Sequence, residues 1–191
     1  MENMVIAAPA LNFQPKQATL PVKSFLQRLL LITEGRITDI VQAYSGETVE
    51  EVKLSQKQIV SDSRFSPLQL DREYQLLSRS TVLQGSQTKI NYLYIDSQIV
   101  LERLDADIRD ALIFGHQPIS KLLEENKVKT YREVLDCGIE SAGSLGQYFS
   151  LAPSTELIYR TYLLLINGLP VMQISEKFPT DYFIEHETFS I

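Results

Sequence analysis

The sequence predicts a single α+β domain, an antiparallel sheet of about six strands with helices covering a buried cavity. Residues 76–101 read as a hairpin, two alternating runs joined by Gly85-Ser86-Gln87-Thr88-Lys89. Residues 157–176 read as a second hairpin around Asn167-Gly168, the favoured two-residue type I′ turn. Segments with helical spacing come two together, before the first hairpin and again between the two. Runs of helices and runs of strands indicate an antiparallel sheet.

Residues 1–21 carry three prolines and few periodic apolar residues, and read as a flexible arm; residues 22–191 form the domain. Val22, Phe25, Leu26, Leu29 and Leu30 make one apolar helical stripe, with Lys23, Gln27 and Arg28 off it and Glu34-Gly35 at its end. Ile37, Ile40, Val41 and Tyr44 make a second short helix, with Thr38 and Asp39 at its start and Gly46 past its end. Residues 48–60 read as a partly exposed strand, where Glu50, Glu51, Lys53 and Lys57 discourage edge pairing. Residues 61–71, with Pro67, form a loop before the first hairpin. Asp105 or Asp107 caps a helix that buries Ile108, Ala111 and Leu112 and stops at Gly115. Gln117-Pro118 opens another, burying Ile119, Leu122 and Leu123. Residues 130–139 alternate weakly, as a strand, and 141–154 form a connector. Residues 157–166 are almost wholly apolar and predict an interior strand; 169–176 return beside it, Pro179 ends the strand, and 180–191 are a tail.

Composition narrows the function. A chain of 191 residues, 44% hydrophobic and 22% charged, holds one real core. A net charge of −6 argues against binding nucleic acid through a broad basic face. Cys137 is the one cysteine, so there is no intrachain disulfide and no cysteine cluster for zinc. Residues 1–20 lack the basic and long apolar regions of a secretory signal. Apolar runs such as 29–32 are far below the roughly 20 residues that span a bilayer. A soluble, cytoplasmic protein with no membrane partner is expected.

The chemistry rests on charges placed in apolar rows. Leu77, Arg79, Thr81 and Leu83 share one strand face. An unpaired guanidinium there costs several kcal/mol, so Arg79 needs an anion: a ligand, or an ion-pair partner such as Glu176 or Asp96. The return strand puts Leu93, Ile95, Ser97, Ile99 and Leu101 on one face, and Tyr92, Tyr94, Asp96 and Gln98 on the other. Glu176 ends the row Pro170, Met172, Ile174, and either faces inward or turns out where the strand stops. Arg132 lies in a more polar row with Val134 and Asp136, and Arg160 reads as a structural rim charge. His116 and His186, the only histidines, lack partners at ligand spacing, so no metal site is expected. No glycine-rich phosphate loop is present, and Cys137 reads as core.

From about Phe25 to Pro179 the chain resembles the chorismate lyase, or chorismate pyruvate-lyase, family, in a divergent branch. The resemblance runs through Leu29-Leu30-Leu31 with Gly35-Arg36-Ile37-Thr38, then Arg79-Ser80-Thr81-Val82-Leu83 and Pro118-Ile119-Ser120-Lys121-Leu122-Leu123. It continues with Tyr131-Arg132-Glu133, Gly138, Asn167-Gly168-Leu169-Pro170-Val171-Met172 and Ser175-Glu176-Lys177-Phe178-Pro179. Order and spacing carry it more than any single block. The resemblance implies a lyase that turns chorismate into 4-hydroxybenzoate and pyruvate without cofactor, in quinone biosynthesis. It places the catalytic arginine on Arg79 and the binding glutamate on Glu176, with Ile37 and the backbone amide of Ile119 in the pocket. Where the family's best-known branch has a second pocket arginine, this chain has Ser97; Arg132 is the candidate to supply that charge. The rival expectation is a ligand-sensing domain of the same fold from transcription regulators, binding an aromatic acid without turnover. Such sensors normally follow a helix-turn-helix, and none precedes Phe25, so the enzyme is the expected reading.

Overall fold

The computed structural model describes residue 22 and residues 24–61, 66–115 and 117–184. The arm at 1–21, most of the tail at 180–191, and both histidines lie outside the described residues. Two helices, α1 (Phe25–Ile32) and α2 (Ile37–Ser45), precede three strands, β1 (Val49–Ser61), β2 (Tyr74–Gly85) and β3 (Asn91–Val100). Helices α3 (Ala106–Phe114) and α4 (Ile119–Glu125) follow, then β4 (Thr130–Ser141), a short α5 (Gly146–Phe149), β5 (Glu156–Ile166) and β6 (Leu169–Pro179). All six strands pair antiparallel in one open sheet, ordered β1-β2-β3-β6-β5-β4. The α+β class and strand number match the sequence expectation, and the connector at 141–154 holds a 3-10 turn and α5.

Local chemistry sets the turns. Asn167 and Gly168 both have positive φ, 51° and 78°, as a type I′ turn requires. Gly46 closes α2 in the left-handed region, where a side chain would be strained. Pro118 sits immediately before α4, and Asp105 precedes α3 without a side-chain capping bond. The stripe expected on α1 is rotated. Phe25 is 59% exposed, while Gln27 is buried with Leu30 and Leu31. Its amide nitrogen donates to the carbonyls of Thr180 (2.7 Å) and Tyr182 (2.9 Å), tying α1 to the end of β6. A buried glutamine is tolerated when its donors are used, and an apolar count has no means of detecting that.

One face of the sheet carries α1–α4 in two core clusters. Leu112, Leu122 and Leu123 pack on Leu77, Ile99 and Met172; Leu30 and Val41 pack on Leu83, Leu93, Ile158 and Phe178. The other face is covered only in part. Leu68 and Leu70 cover Leu76, Val100 and Leu163, and Tyr148 of α5 stacks on Tyr94 at 5.5 Å. Between the two helix pairs the sheet is left with a hollow.

Candidate active site

The hollow has a volume of about 430 Å³, the size of a small-molecule site. Its floor is the sheet, at Arg79, Thr81, Ile95, Ser97, Tyr162, Leu164, Ile174 and Glu176; its walls are residues 34–38 and the start of α4. All six residues singled out in the sequence, Arg79, Glu176, Ile37, Ser97, Ile119 and Arg132, line it. Register explains the convergence. Arg79 pairs with Ser97 and Ser97 with Ile174; one step along, Thr81 pairs with Ile95 and Ile95 with Glu176. Arg79 and Glu176 therefore stand two strands and one inward-facing step apart, about 12 Å between backbones, on one face.

Each of these two charges has a partner that differs from the sequence expectation. Arg79, 3% exposed, meets neither Glu176 nor Asp96; its Nη2 lies 3.3 Å from Oε1 of Glu51. Asp96 is on the opposite face, accepting from the Ser80 hydroxyl at 2.8 Å. Glu51, expected to guard a sheet edge, instead turns into the hollow from β1. Burial pushes its carboxyl above the ordinary range, against the pull of Arg79 and the Thr81 hydroxyl. The Nε and Nη1 of Arg79 are buried with no hydrogen-bond partner among the described residues. Buried guanidinium nitrogens are rarely left so; Nη2 of Arg160, behind the hollow, is in the same condition.

Glu176 is buried and faces in. Its Oε2 accepts from Nε of Arg160 at 2.5 Å, and its Oε1 from the Tyr162 hydroxyl at 2.9 Å. Arg160 is no rim charge. It is 1% exposed, directly opposite Glu176 in the β5–β6 ladder, and its Nη1 donates to the Thr33 carbonyl at the end of α1. Burial first, then the neighbouring carboxylate, push the Tyr162 phenol far above its usual range, so it remains a neutral donor. Glu51, Arg160 and Tyr162 are the site residues that sequence reasoning missed.

Arg132 enters from β4. Its Nη1 donates to the carbonyls of Glu34 (2.5 Å) and Gly35 (2.6 Å), and its guanidinium lies 5.4 Å from the Tyr162 ring centre. It is the lining cation with no carboxylate partner among the described residues. Ser97, where a second arginine was expected by resemblance, donates to the backbone carbonyl of Arg79 at 3.1 Å. Arg36 and Glu124, joined at 2.7 Å, also line the hollow, each more than half exposed. Among the described residues no cluster of three or more His, Cys, Asp or Glu side chains has the geometry to hold a metal, and no helix is long and apolar enough to cross a membrane.

Known proteins resemble this chain in sequence and in fold. A chorismate pyruvate-lyase of Mycobacterium leprae is 23% identical over 163 residues, covering 82% of this chain and 75% of that protein. One of Mycobacterium tuberculosis is 22% identical over 162 residues, covering 82% and 80%. Among solved structures, the effector domain of PhnF from Mycobacterium smegmatis superposes with a TM-score of 0.63 at 9% identity, covering 79% of this chain and 92% of that one. A GntR-family transcriptional regulator from Bacillus cereus gives 0.51 at 11%, covering 73% and 96%. At such identities the structures share the fold alone. The family model of the Rv2949c-like chorismate pyruvate-lyases matches residues 31–185, most of the length, and this chain belongs to that family.

Proposed function

We propose that this chain is a cofactor-free lyase that eliminates pyruvate from chorismate and leaves 4-hydroxybenzoate. The observation that carries the reading is the buried Arg79, with two unpartnered nitrogens, in the floor of a hollow that Glu176 also lines. Chorismate is a dianion with a ring carboxylate, a ring hydroxyl and an enolpyruvyl ether. The ring carbon bearing the hydroxyl gives up its proton, the ring–ether bond breaks, and the enolpyruvyl methylene takes the proton to become the methyl of pyruvate. The ring becomes aromatic, so the driving force lies in the substrate. The step is redox-neutral, and what it asks of the protein is positioning and charge stabilisation away from water.

In this reading Arg79 takes the ring carboxylate on its free donors, as a charge-assisted pair. Glu176, fixed by Arg160 and Tyr162, has acceptor capacity left for the ring hydroxyl. Arg132 faces the second carboxylate and stands in for the arginine that Ser97 replaces. Ile37 and Ile119 enclose the ring, with the Ile119 amide within the binding set. The setting is cytoplasmic, with a small molecule as partner and no nucleic acid or membrane.

The fold likeness to effector domains supports a second reading, an aromatic-acid binding domain without turnover. One experiment separates the two. Purified protein mixed with chorismate, with and without chelator, releases pyruvate and 4-hydroxybenzoate in equal amounts if it is the lyase. Tight binding of 4-hydroxybenzoate with no pyruvate release refutes the lyase and selects the binding domain.

A further inference from the structure

We propose that an anionic ligand on Arg79 drives Glu51 into its protonated form, so that the acid end of the hollow binds a carboxylate together with a proton. The inference rests on the reading above and deepens it by adding Glu51 as the residue that sets which charge state the site accepts.

The Glu51 side chain is 15% exposed and lines the same hollow as Arg79. A guanidinium has five N–H donors. Glu51 meets Arg79 at Nη2 alone, and Nε and Nη1 have no partner among the described residues. Glu51 therefore leaves donors of Arg79 unclaimed, and a ligand carboxylate in the hollow that Arg79 lines can share this guanidinium without expelling Glu51. Once it does, one cation serves two carboxyl groups held a few ångströms apart in a water-poor site. Two carboxylates sharing such a place do not both stay ionised. One must carry a proton, and a carboxyl–carboxylate arrangement also leaves fewer acceptors competing for Arg79.

The neighbouring charges point to Glu51 as the group that takes it. On β1 itself, Lys53 is exposed, and Glu50 is exposed and paired with Lys89 at 3.3 Å. On β2 the charge facing Glu51 is Arg79. From α2, which packs against β1, Arg36 and Asp39 are tied to each other at 3.0 Å, and Arg36 also to Glu124 of α4. Arg132 of β4 is held on the carbonyls of Glu34 and Gly35. On β6, Glu176 already has Arg160 and the Tyr162 hydroxyl to hold its charge. Glu51 has the Thr81 hydroxyl and Arg79, the second of which it would share with the ligand, and burial already favours its neutral form.

The test is calorimetric titration of the full chain with 4-hydroxybenzoate in two buffers of different ionisation heat at one pH. Uptake of close to one proton per ligand is expected near neutral pH, with affinity falling about tenfold per pH unit as pH rises above the Glu51 pKa of the free protein. Benzoate, which has no phenol, should show the same uptake. E51Q should take up no proton and bind both ligands with a flat profile between about pH 6 and pH 8. Binding by the wild type without proton uptake, or uptake that persists in E51Q, overturns the proposal and leaves the lyase reading standing. Failure of the wild type to bind either ligand overturns both. Where E51Q does not fold, E51A is titrated in its place, with the same expected and overturning results.

Discussion

The two ends of the hollow are built from the same kind of pair, presented differently. At one end Arg79 and Glu51 both line the cavity; at the other Glu176 lines it and Arg160 braces it from behind. The first end is unsaturated, with two buried nitrogens of Arg79 that have no partner among the described residues. The second leaves one, Nη2 of Arg160, while both carboxylate oxygens of Glu176 are already bonded once. A buried ion pair adds little net stability, yet removing one partner from it is costly. Presenting the two pairs differently gives the cavity a guanidinium from one pair alone and, from the other, a carboxylate without its cation. A flat ring with an acid at one position and a hydroxyl opposite is the ligand shape this polarity suits.

Substitutions at the two ends should therefore fail differently. The largest effect belongs to the Arg79 end. Arg79→Ala should cut pyruvate release from chorismate by about a thousandfold or more, the loss typical of a key transition-state donor, while circular dichroism still reports a folded protein. Unchanged release would remove the distinction between the ends. Glu176→Gln should act on stability as well as on binding, because it strands Arg160 as a buried cation. About 3 kcal/mol of unfolding free energy should be lost, read by urea denaturation, and 4-hydroxybenzoate should bind about tenfold more weakly. Equal affinity by calorimetry would deny Glu176 its hydroxyl-binding role.

Arg132→Gln should raise KM for chorismate about tenfold with little change in fold, the loss of one exposed charge-assisted contact. A fall in kcat alone would place Arg132 outside substrate binding. Tyr159→Phe, on the uncovered face, should leave turnover untouched and lower stability by roughly 0.5 kcal/mol, the worth of a half-exposed contact. The Tyr159 hydroxyl donates to Asp136 at 2.9 Å, and that contact pushes its pKa from 10.0 up to about 12. The folded value is the higher one, so the contact stabilises the protein below pH 10 and its contribution is lost as pH rises through about 12. The gap between wild type and Tyr159→Phe in urea midpoint should accordingly shrink at alkaline pH.

What the sequence disclosed and what it hid divide along the same line. Arg79 and Glu176 were legible because each interrupts an apolar row, and period-two alternation fixes the face once the strand is known. Their partners depended on register. Counting back from the turn, where Ile166 pairs with Leu169, sets Arg160 opposite Ser175 and on the wrong face. A bulge at Leu164/Leu165 shifts the ladder by one residue and brings Arg160 opposite Glu176. A one-residue slip turns every side chain over, and no residue type announces it, although Pro170, which lacks an N–H to give the ladder, sits beside it. Glu51 was hidden for a different reason. β1 and β2 are joined by a long connection, so no tight turn sets their register, and a further irregularity falls between Lys53 and Ser55. Gln27 was missed because its carbonyl partners lie more than 150 residues away in the chain.

The polarity of the hollow is tested most directly by a crystal structure of the protein with 4-hydroxybenzoate. The expected result is a ligand lying across the sheet, its carboxylate on Nε or Nη1 of Arg79 and its phenol on Glu176. A ligand bound in the reverse sense, or seated away from both residues, would contradict the account.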